Sequence, residues 1–308
     1  MENFPYKISV ITPCFNASKY LKEAIISVLR QDYPNFEHII VDGKSTDGTL
    51  EIIKNYNHII WISEPDDGQS DAMNKGFHMS SGEVIVYLNA DDYFLPGAFK
   101  KVIPYFEKGA KFVVGNVKVD KEDGNYWIKV PKVTHEEMLR HWEKNAYCVN
   151  PVGYFYLREV QENVPAFNRK NHFAMDLEFL LESSLKYEFT KIPDKEPLGV
   201  FRYHQETKTA QTRITPSELY TFSNFVFINK FLSGKPVEFV TRYNRMREKA
   251  YRQLIGIHNK EKRNKIVRVR ETLLRFSRTV YLKFKDFGRS SDKSKILRDF
   301  IRRNFTKP

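Results

Sequence analysis

The residues of this chain best placed to do chemistry close one apolar run. Val84-Ile85-Val86-Tyr87-Leu88 is made of strand-forming residues and stops abruptly at Asn89-Ala90-Asp91-Asp92. A buried strand of this kind delivers its last polar groups to its C-terminal edge, where open α/β sheets bind ligands. Two neighbouring carboxylates facing a cleft repel each other and are costly to desolvate, so they call for a cation. A divalent metal carrying a phosphorylated substrate is the simplest one. The competing reading is a pair of solvated acids that open a turn.

The elements that must position these acids follow from the flanking pattern. Lys7 to Thr12 reads as a first strand that Pro13 brings to an end. Residues 17–31 place Tyr20, Leu21, Ala24, Ile25, Val28 and Leu29 on one helical face. Phe36 to Val41 reads as a second strand ending in Asp42, and the loop from Gly43 to Gly48 is rich in turn formers and helix caps ahead of a helix over 49–55. Ile59 to Ser63 is a third strand, the acidic loop Glu64-Pro65-Asp66-Asp67-Gly68-Gln69 leads into a helix over 70–79, and Pro96 opens another reaching Phe106. Four strands alternating with four helices predict an α/β fold, a mostly parallel Rossmann-like sheet with helices on both faces. Three strand ends, Thr12, Asp42 and Asn89 to Asp91, then converge on one edge of that sheet.

Beyond Phe112–Val117 the pattern loosens, with strand-like pieces at 126–130 and 153–158. Tyr126, Trp127, Trp142, Tyr147, Tyr154, Phe155 and Tyr156 crowd this region, as core or as a sugar-stacking wall. Met175 to Leu185 is a helix carrying Asp176 and Glu178, Gly199 to His204 is a strand entering the polar loop 205–213, and from Pro216 the chain reads as helical.

A chain of 308 residues, 41% of them hydrophobic, holds a sizeable core. With Cys14 and Cys148 as its two cysteines it supports neither a disulfide framework nor a cysteine-rich zinc site, which suits a reducing compartment. The first residues lack the basic start and apolar block of a signal peptide, and no apolar segment approaches the roughly 20 residues of a spanning helix, so a cytoplasmic protein is expected. The net charge of +12 is unevenly spread: residues 241–308 hold 22 of the 50 Lys and Arg but 6 of the 38 Asp and Glu. Within that tail Ile266, Val269, Leu273, Phe276, Val280, Phe284 and Phe287 recur at helical spacing among Arg268, Arg270, Arg275, Arg278, Lys283 and Lys285. Residues 266–287 therefore read as an amphipathic helix that either lies on an anionic membrane surface or docks its apolar stripe on the protein.

Four segments, taken together in their order and spacing, carry a family likeness. Ile8-Ser9-Val10-Ile11-Thr12-Pro13, the loop from Val41 to Thr49, Asp71-Ala72-Met73-Asn74-Lys75-Gly76 and Leu88-Asn89-Ala90-Asp91-Asp92 resemble glycosyltransferase family 2. The likeness is strong over 7–115 and weaker over 116–212. It implies a GT-A fold in which 1–115 binds a UDP- or GDP-type nucleoside diphosphate sugar, 116–212 binds the acceptor, and 213–308 is a basic helical C-terminal extension. It further implies an inverting, Mn²⁺- or Mg²⁺-dependent transfer of the sugar to a hydroxyl of a glycan or lipid-linked acceptor, in surface polysaccharide or lipopolysaccharide synthesis. In that case the protein is peripheral at the inner face of the cell membrane.

Residue by residue, the resemblance makes Thr12 and Pro13 the first wall of the nucleoside pocket and Asp42 the acceptor of a base N–H, although Asp42 would equally cap its loop. Asp91 matches the metal ligand of the family's aspartate-x-aspartate motif, hard oxygen for a hard cation. Asn89 departs from the motif's first aspartate and suits a ribose contact, with Ala90 between the two. Asp71 would touch the nucleoside or donor sugar. Lys75 would meet the diphosphate or else be a solvated surface lysine. Asp176 matches the base that takes the acceptor's proton, although Met175 replaces the usual preceding acid and a helix-dipole role is equally open. Arg202 and His204, at a strand end, would reach the diphosphate and the metal, unless His204 is simply packed.

Two other classes compete. A nucleotidyltransferase would share the sheet and acids but needs an early glycine- and basic-rich phosphate loop, which Cys14-Phe15-Asn16-Ala17 does not supply. A nucleic-acid-binding protein would use the basic tail, but no recognised binding motif is present and the acidic N-terminal strand edge argues against nucleic acid as a partner.

Overall fold

The computed structural model describes residues 4–141, 143, 145–148, 150–171, 174–205, 207, 231–232 and 234–258. The expected helix over 266–287, most of the helical stretch expected from Pro216, and Trp142 lie outside the described residues. Residues up to Glu248 form one compact unit and those from Lys249 a second.

Four strands, β1 (Ile8–Cys14), β2 (Phe36–Asp42), β3 (Ile59–Ser63) and β4 (Val84–Tyr87), run parallel in the order β3-β2-β1-β4. They are connected by α1 (Leu21–Leu29), α2 (Thr49–Lys54) and α3 (Gln69–Met79). Every residue of β1 is buried, which requires its two polar side chains to find partners inside. Ser9 Oγ donates to Glu37 at 2.6 Å, and Thr12 Oγ1 lies 2.9 Å from His38 Nε2.

β1 does not end before Pro13 as expected; it continues to Cys14, with Pro13 paired to Val41. The ladder explains this. In a parallel strand the N–H and C=O of one residue face the same neighbour, and Ile11 faces β4, accepting from Leu88 N at 3.0 Å. Pro13 faces the same side two residues later, where β4 has already stopped at Tyr87, so its missing N–H costs no ladder bond.

Beyond β4 the sheet is extended by strands from either side of residue 115. After the short β5 (Tyr93–Phe94) and α4 (Ala98–Glu107) comes β6 (Phe112–Val114), then β7 (Asn116–Lys121), β8 (Tyr126–Lys129) and α5 (His135–Leu139). β9 (Tyr154–Leu157) runs antiparallel between β4 and β6, and β10 (Phe189–Lys191) adds to β6 after α6 (Arg158–Asn163) and α7 (Met175–Ser184). A second, four-stranded sheet is ordered β5-β11-β7-β8, with β11 spanning Pro197–Tyr203, and α8 (Val237–His258) follows. Of the crowded aromatics, Tyr147, Tyr154, Phe155 and Tyr156 are core, whereas Tyr126 and Trp127 on the edge strand β8 remain 62% and 39% exposed. Among the described residues no helix is long and apolar enough to cross a membrane.

Candidate active site

The turn after β4 divides its two acids by role. Asp92 is buried and accepts three hydrogen bonds: from Asn89 Nδ2 at 2.9 Å, Asn150 Nδ2 at 2.8 Å and the Arg202 N–H at 2.9 Å. It thereby ties the β4 turn to β11 and to the segment ahead of β9. Burial above all, and then the charge of Asp91, push its carboxyl well above the usual range, against the pull of those donors. Asp91 is the open one, its side chain 30% exposed, with Oδ2 3.2 Å from His204 Nε2.

This pair fits a divalent cation. Donors about 2.1 Å from one ion and at right angles lie about 3 Å apart, close to the observed spacing. Asp91 and His204 would give such an ion one carboxylate oxygen and one imidazole nitrogen, leaving the rest of its binding to a substrate's oxygens and water. No group of three or more His, Cys, Asp or Glu that could hold a metal occurs among the described residues.

At the ends of β2 and β3, Asp42 is fully buried and accepts from the Ser45 N–H at 3.1 Å, from the Ser45 hydroxyl, and from the Ser63 hydroxyl at 2.6 Å. The Cys14 thiol lies 3.7 Å away; burial first and the Asp42 charge second push it up, which disfavours the nucleophilic thiolate. Thr12 and Pro13, expected to wall a nucleoside pocket, are both buried, Thr12 on His38. The open wall is the next aromatic, Phe15, 65% exposed at the same edge. Its ring and the Asp66 carboxylate flank Gly43, where an added Cβ would lie 2.6 Å from Asp66 Oδ2 and 3.4 Å from Phe15. Sequence reading missed Phe15; its signal is a large apolar side chain placed in a polar loop directly after a buried strand.

The N-terminus of α3 connects these parts. Gln69 Nε2 donates to Asn89 Oδ1 at 2.8 Å, and Ser70 Oγ meets the Met175 sulfur. Asp176 is therefore adjacent to a residue that touches the first turn of α3, which itself touches the β4 turn. Asp176 is half-buried, and its charge is felt by the Tyr154 and Cys148 side chains. Glu178, on another side of α7, is taken up by Asn168 at 3.1 Å and Asn171 at 2.9 Å.

Asp71 and Lys75 engage each other at 3.4 Å. Lys75 also pairs with Glu64 at 2.8 Å and donates to the Pro65 carbonyl at 3.0 Å. Asp71 accepts from the Asp67 N–H at 3.1 Å and from Arg169 at 3.2 Å. Burial works against ionisation of Asp71, but these donors outweigh it and hold its carboxyl below the usual value. Both residues thus brace the acidic loop. Arg202 pairs with Glu23 at 2.6 Å and stacks on Tyr20 and Tyr93, at 4.6 and 5.2 Å.

Comparison with known proteins bears on the family and the fold of the chain. The family model described as Glycosyl transferase family 2 matches residues 9–187. A protein named as a teichuronic acid biosynthesis glycosyltransferase, TuaG of Bacillus subtilis, is 30% identical over 152 residues, 46% of this chain and 60% of that protein. A GalNAc(5)-diNAcBac-PP-undecaprenol beta-1,3-glucosyltransferase of Campylobacter jejuni is 31% identical over 38% of this chain and 40% of its own. The chain therefore spans less than two thirds of either relative. Among solved structures, S. aureus TarS 1-349 in complex with UDP-GlcNAc has a TM-score of 0.58 at 18% identity, over 84% of this chain and 74% of that one. The mannosyltransferase PcManGT of Pyrobaculum calidifontis, in complex with GDP-Man and Mn²⁺, has a TM-score of 0.55 at 18% identity, over 75% and 65%. At such identities the structures share the GT-A fold.

Proposed function

Because the chain belongs to glycosyltransferase family 2, we propose that it moves a sugar from a nucleoside diphosphate sugar to a hydroxyl of a glycan or lipid-linked acceptor in cell-surface glycan synthesis. The observation that carries this reading is the Asp91–His204 pair, two donors 3.2 Å apart at the C-terminal edge of a parallel sheet. Asp91 and His204 would hold Mn²⁺ or Mg²⁺, and when bound such an ion supplies positive charge to a departing diphosphate. The complexes of the two structural neighbours with UDP-GlcNAc and with GDP-Man and Mn²⁺ support this class of donor.

The chain's own residues divide the remaining work. Phe15 offers a ring face to the base and Asp42, backed by Ser45 and Ser63, an acceptor for a base N–H. Asn89, braced by Gln69 and Asp92, is placed for a ribose hydroxyl. Asp176 takes the proton of the acceptor hydroxyl as its oxygen bonds to the anomeric carbon and the bond from that carbon to the diphosphate oxygen breaks, so the configuration inverts. The exposed Tyr126 and Trp127 suit an acceptor wall within the half formed by 116–212. The basic segment 266–287 suits attachment at an anionic membrane surface, where each nearby Lys or Arg adds about 1 kcal/mol.

Thermal unfolding with UDP or GDP, each with and without Mn²⁺, tests the proposal. We expect a rise in Tm with nucleotide and Mn²⁺ together that Asp91→Ala abolishes. A wild-type protein indifferent to every nucleoside diphosphate would sink it.

A further inference from the structure

Tyr20, which directly precedes α1, takes no part in the steps above, yet it touches His204, Arg202 and Glu122. Its ring centroid is 4.6 Å from that of the His204 imidazole, the planes tilted by 47°. The Arg202 guanidinium lies 4.6 Å and the Lys19 ammonium 4.7 Å from the same ring. Its hydroxyl donates at 3.0 Å to Glu122, in the turn between β7 and β8. The start of α1, the end of β11 and the β7–β8 turn thus meet on one side chain.

His204 needs such a neighbour. Its ring is buried, Nε2 faces Asp91, and Nδ1 is buried with no hydrogen-bond partner among the described residues. A metal-ligating imidazole is ordinarily oriented through its second nitrogen, which donates to a carboxylate or carbonyl and fixes the ring plane. Among the described residues that bond is missing, so apart from the contact of Nε2 with Asp91 it is packing that sets the plane, and Tyr20 is the ring packed on it. Tyr20 is itself well held: two cations are drawn to its π system, and the hydrogen bond to Glu122 fixes its tilt.

We propose that Tyr20 is the positioning residue for the His204 imidazole, an aromatic contact standing where a second hydrogen bond ordinarily orients a metal ligand. This rests on Asp91 and His204 being the cation's ligands. The aromatic plane matters to this role and the hydroxyl contributes less, so a flat ring without the hydroxyl should suffice and an aliphatic side chain of similar bulk should not.

The test uses full-length protein, Mn²⁺ and UDP, with free Mn²⁺ followed by electron paramagnetic resonance. Tyr20→Phe should bind Mn²⁺ close to wild type, whereas Tyr20→Leu and Tyr20→Ala should lose about tenfold or more in affinity, the usual effect of removing an outer-shell partner. In a His204→Ala background the Tyr20→Leu change should cost no further affinity, because the ring it positions is gone. A purely structural role predicts an equal loss in both backgrounds and would overturn the assignment, as would wild-type affinity in Tyr20→Leu. If Tyr20→Ala does not fold, the Leu variant carries the same comparison. Should the wild-type protein itself take up no Mn²⁺ with UDP, the cation reading falls and this inference with it; uptake that Tyr20→Leu leaves unchanged sinks the Tyr20 role alone.

Discussion

Glu37 shows how much one side chain can do away from the chemistry. It sits near the N-terminal edge of the sheet and accepts from Lys7 Nζ, Ser9 Oγ and the Ser81 N–H, each at 2.6 Å, and from the Gly82 N–H at 3.2 Å. Burial alone would raise its carboxyl, but these donors hold it down to about 2, against an ordinary 4.5. Because the folded value is the lower one, the stabilisation is fully present above about pH 4.5 and drains away as the pH falls toward 2. Its size at neutral pH is about 3 kcal/mol as an upper figure. Glu37→Gln should therefore be less stable at pH 7 and should lose less on acidification, as read from urea unfolding midpoints between pH 7 and pH 3. If the mutant and wild-type midpoints fall in parallel, the network around Glu37 is not what the acid titrates.

At the scale of elements, α3 sets the geometry of the site, and Gly76 sets α3. A Cβ at Gly76 would lie 2.3 Å from Ile11 Cγ2 and 3.3 Å from Val41 Cγ2, so the helix rests directly on β1 and β2. Gly76→Ala should cost about 1–3 kcal/mol through overpacking. It should also weaken UDP–Mn²⁺ binding, because lifting α3 moves Gln69 off Asn89; unfolding and nucleotide titration on one sample check both. A stability loss with unchanged nucleotide affinity would show that the helix shifts without carrying the β4 turn. The βα units that place α3 were legible because their apolar runs and 3.6-residue periods are local signals. The pairing of Asp91 with His204 was legible only through the family motif, since 113 residues separate them and no periodicity says which strands are neighbours. The same limit hid the two-residue β5 and the separate sheet it forms with β11. It also left open which aromatics were core, a question that sheet position alone decides: β9 is covered on both sides and β8 is an edge. The family motif singled out Asp91, but the burial of Asp92 was not legible, because it depends on Asn150 and Arg202, far along the chain.

For the whole molecule, the distribution of charge separates catalysis from placement. Residues 1–240 carry 28 Lys and Arg against 32 Asp and Glu, so the part holding the candidate site is slightly acidic and the positive charge resides in the tail, whose 22 Lys and Arg against 6 Asp and Glu outweigh it. A field carried by one stretch of sequence suits a large anionic surface, and exposed charges are screened over about 8–10 Å at physiological salt. The two functions should then be separable by mutation. Full-length protein with Arg268, Arg270, Arg275 and Arg278 changed to Gln should keep its UDP–Mn²⁺ affinity. It should sediment far less with vesicles rich in phosphatidylglycerol than wild type does, roughly in line with 1 kcal/mol per lost charge at low salt. Wild-type sedimentation should itself fall as salt rises to about 0.5 M if charge supplies the attraction, and persist if the apolar stripe between Ile266 and Phe287 supplies it. Unchanged sedimentation of the four-glutamine variant at low salt would reject electrostatic attachment through this segment. A parallel loss of nucleotide binding would instead mean that the basic segment serves the site itself.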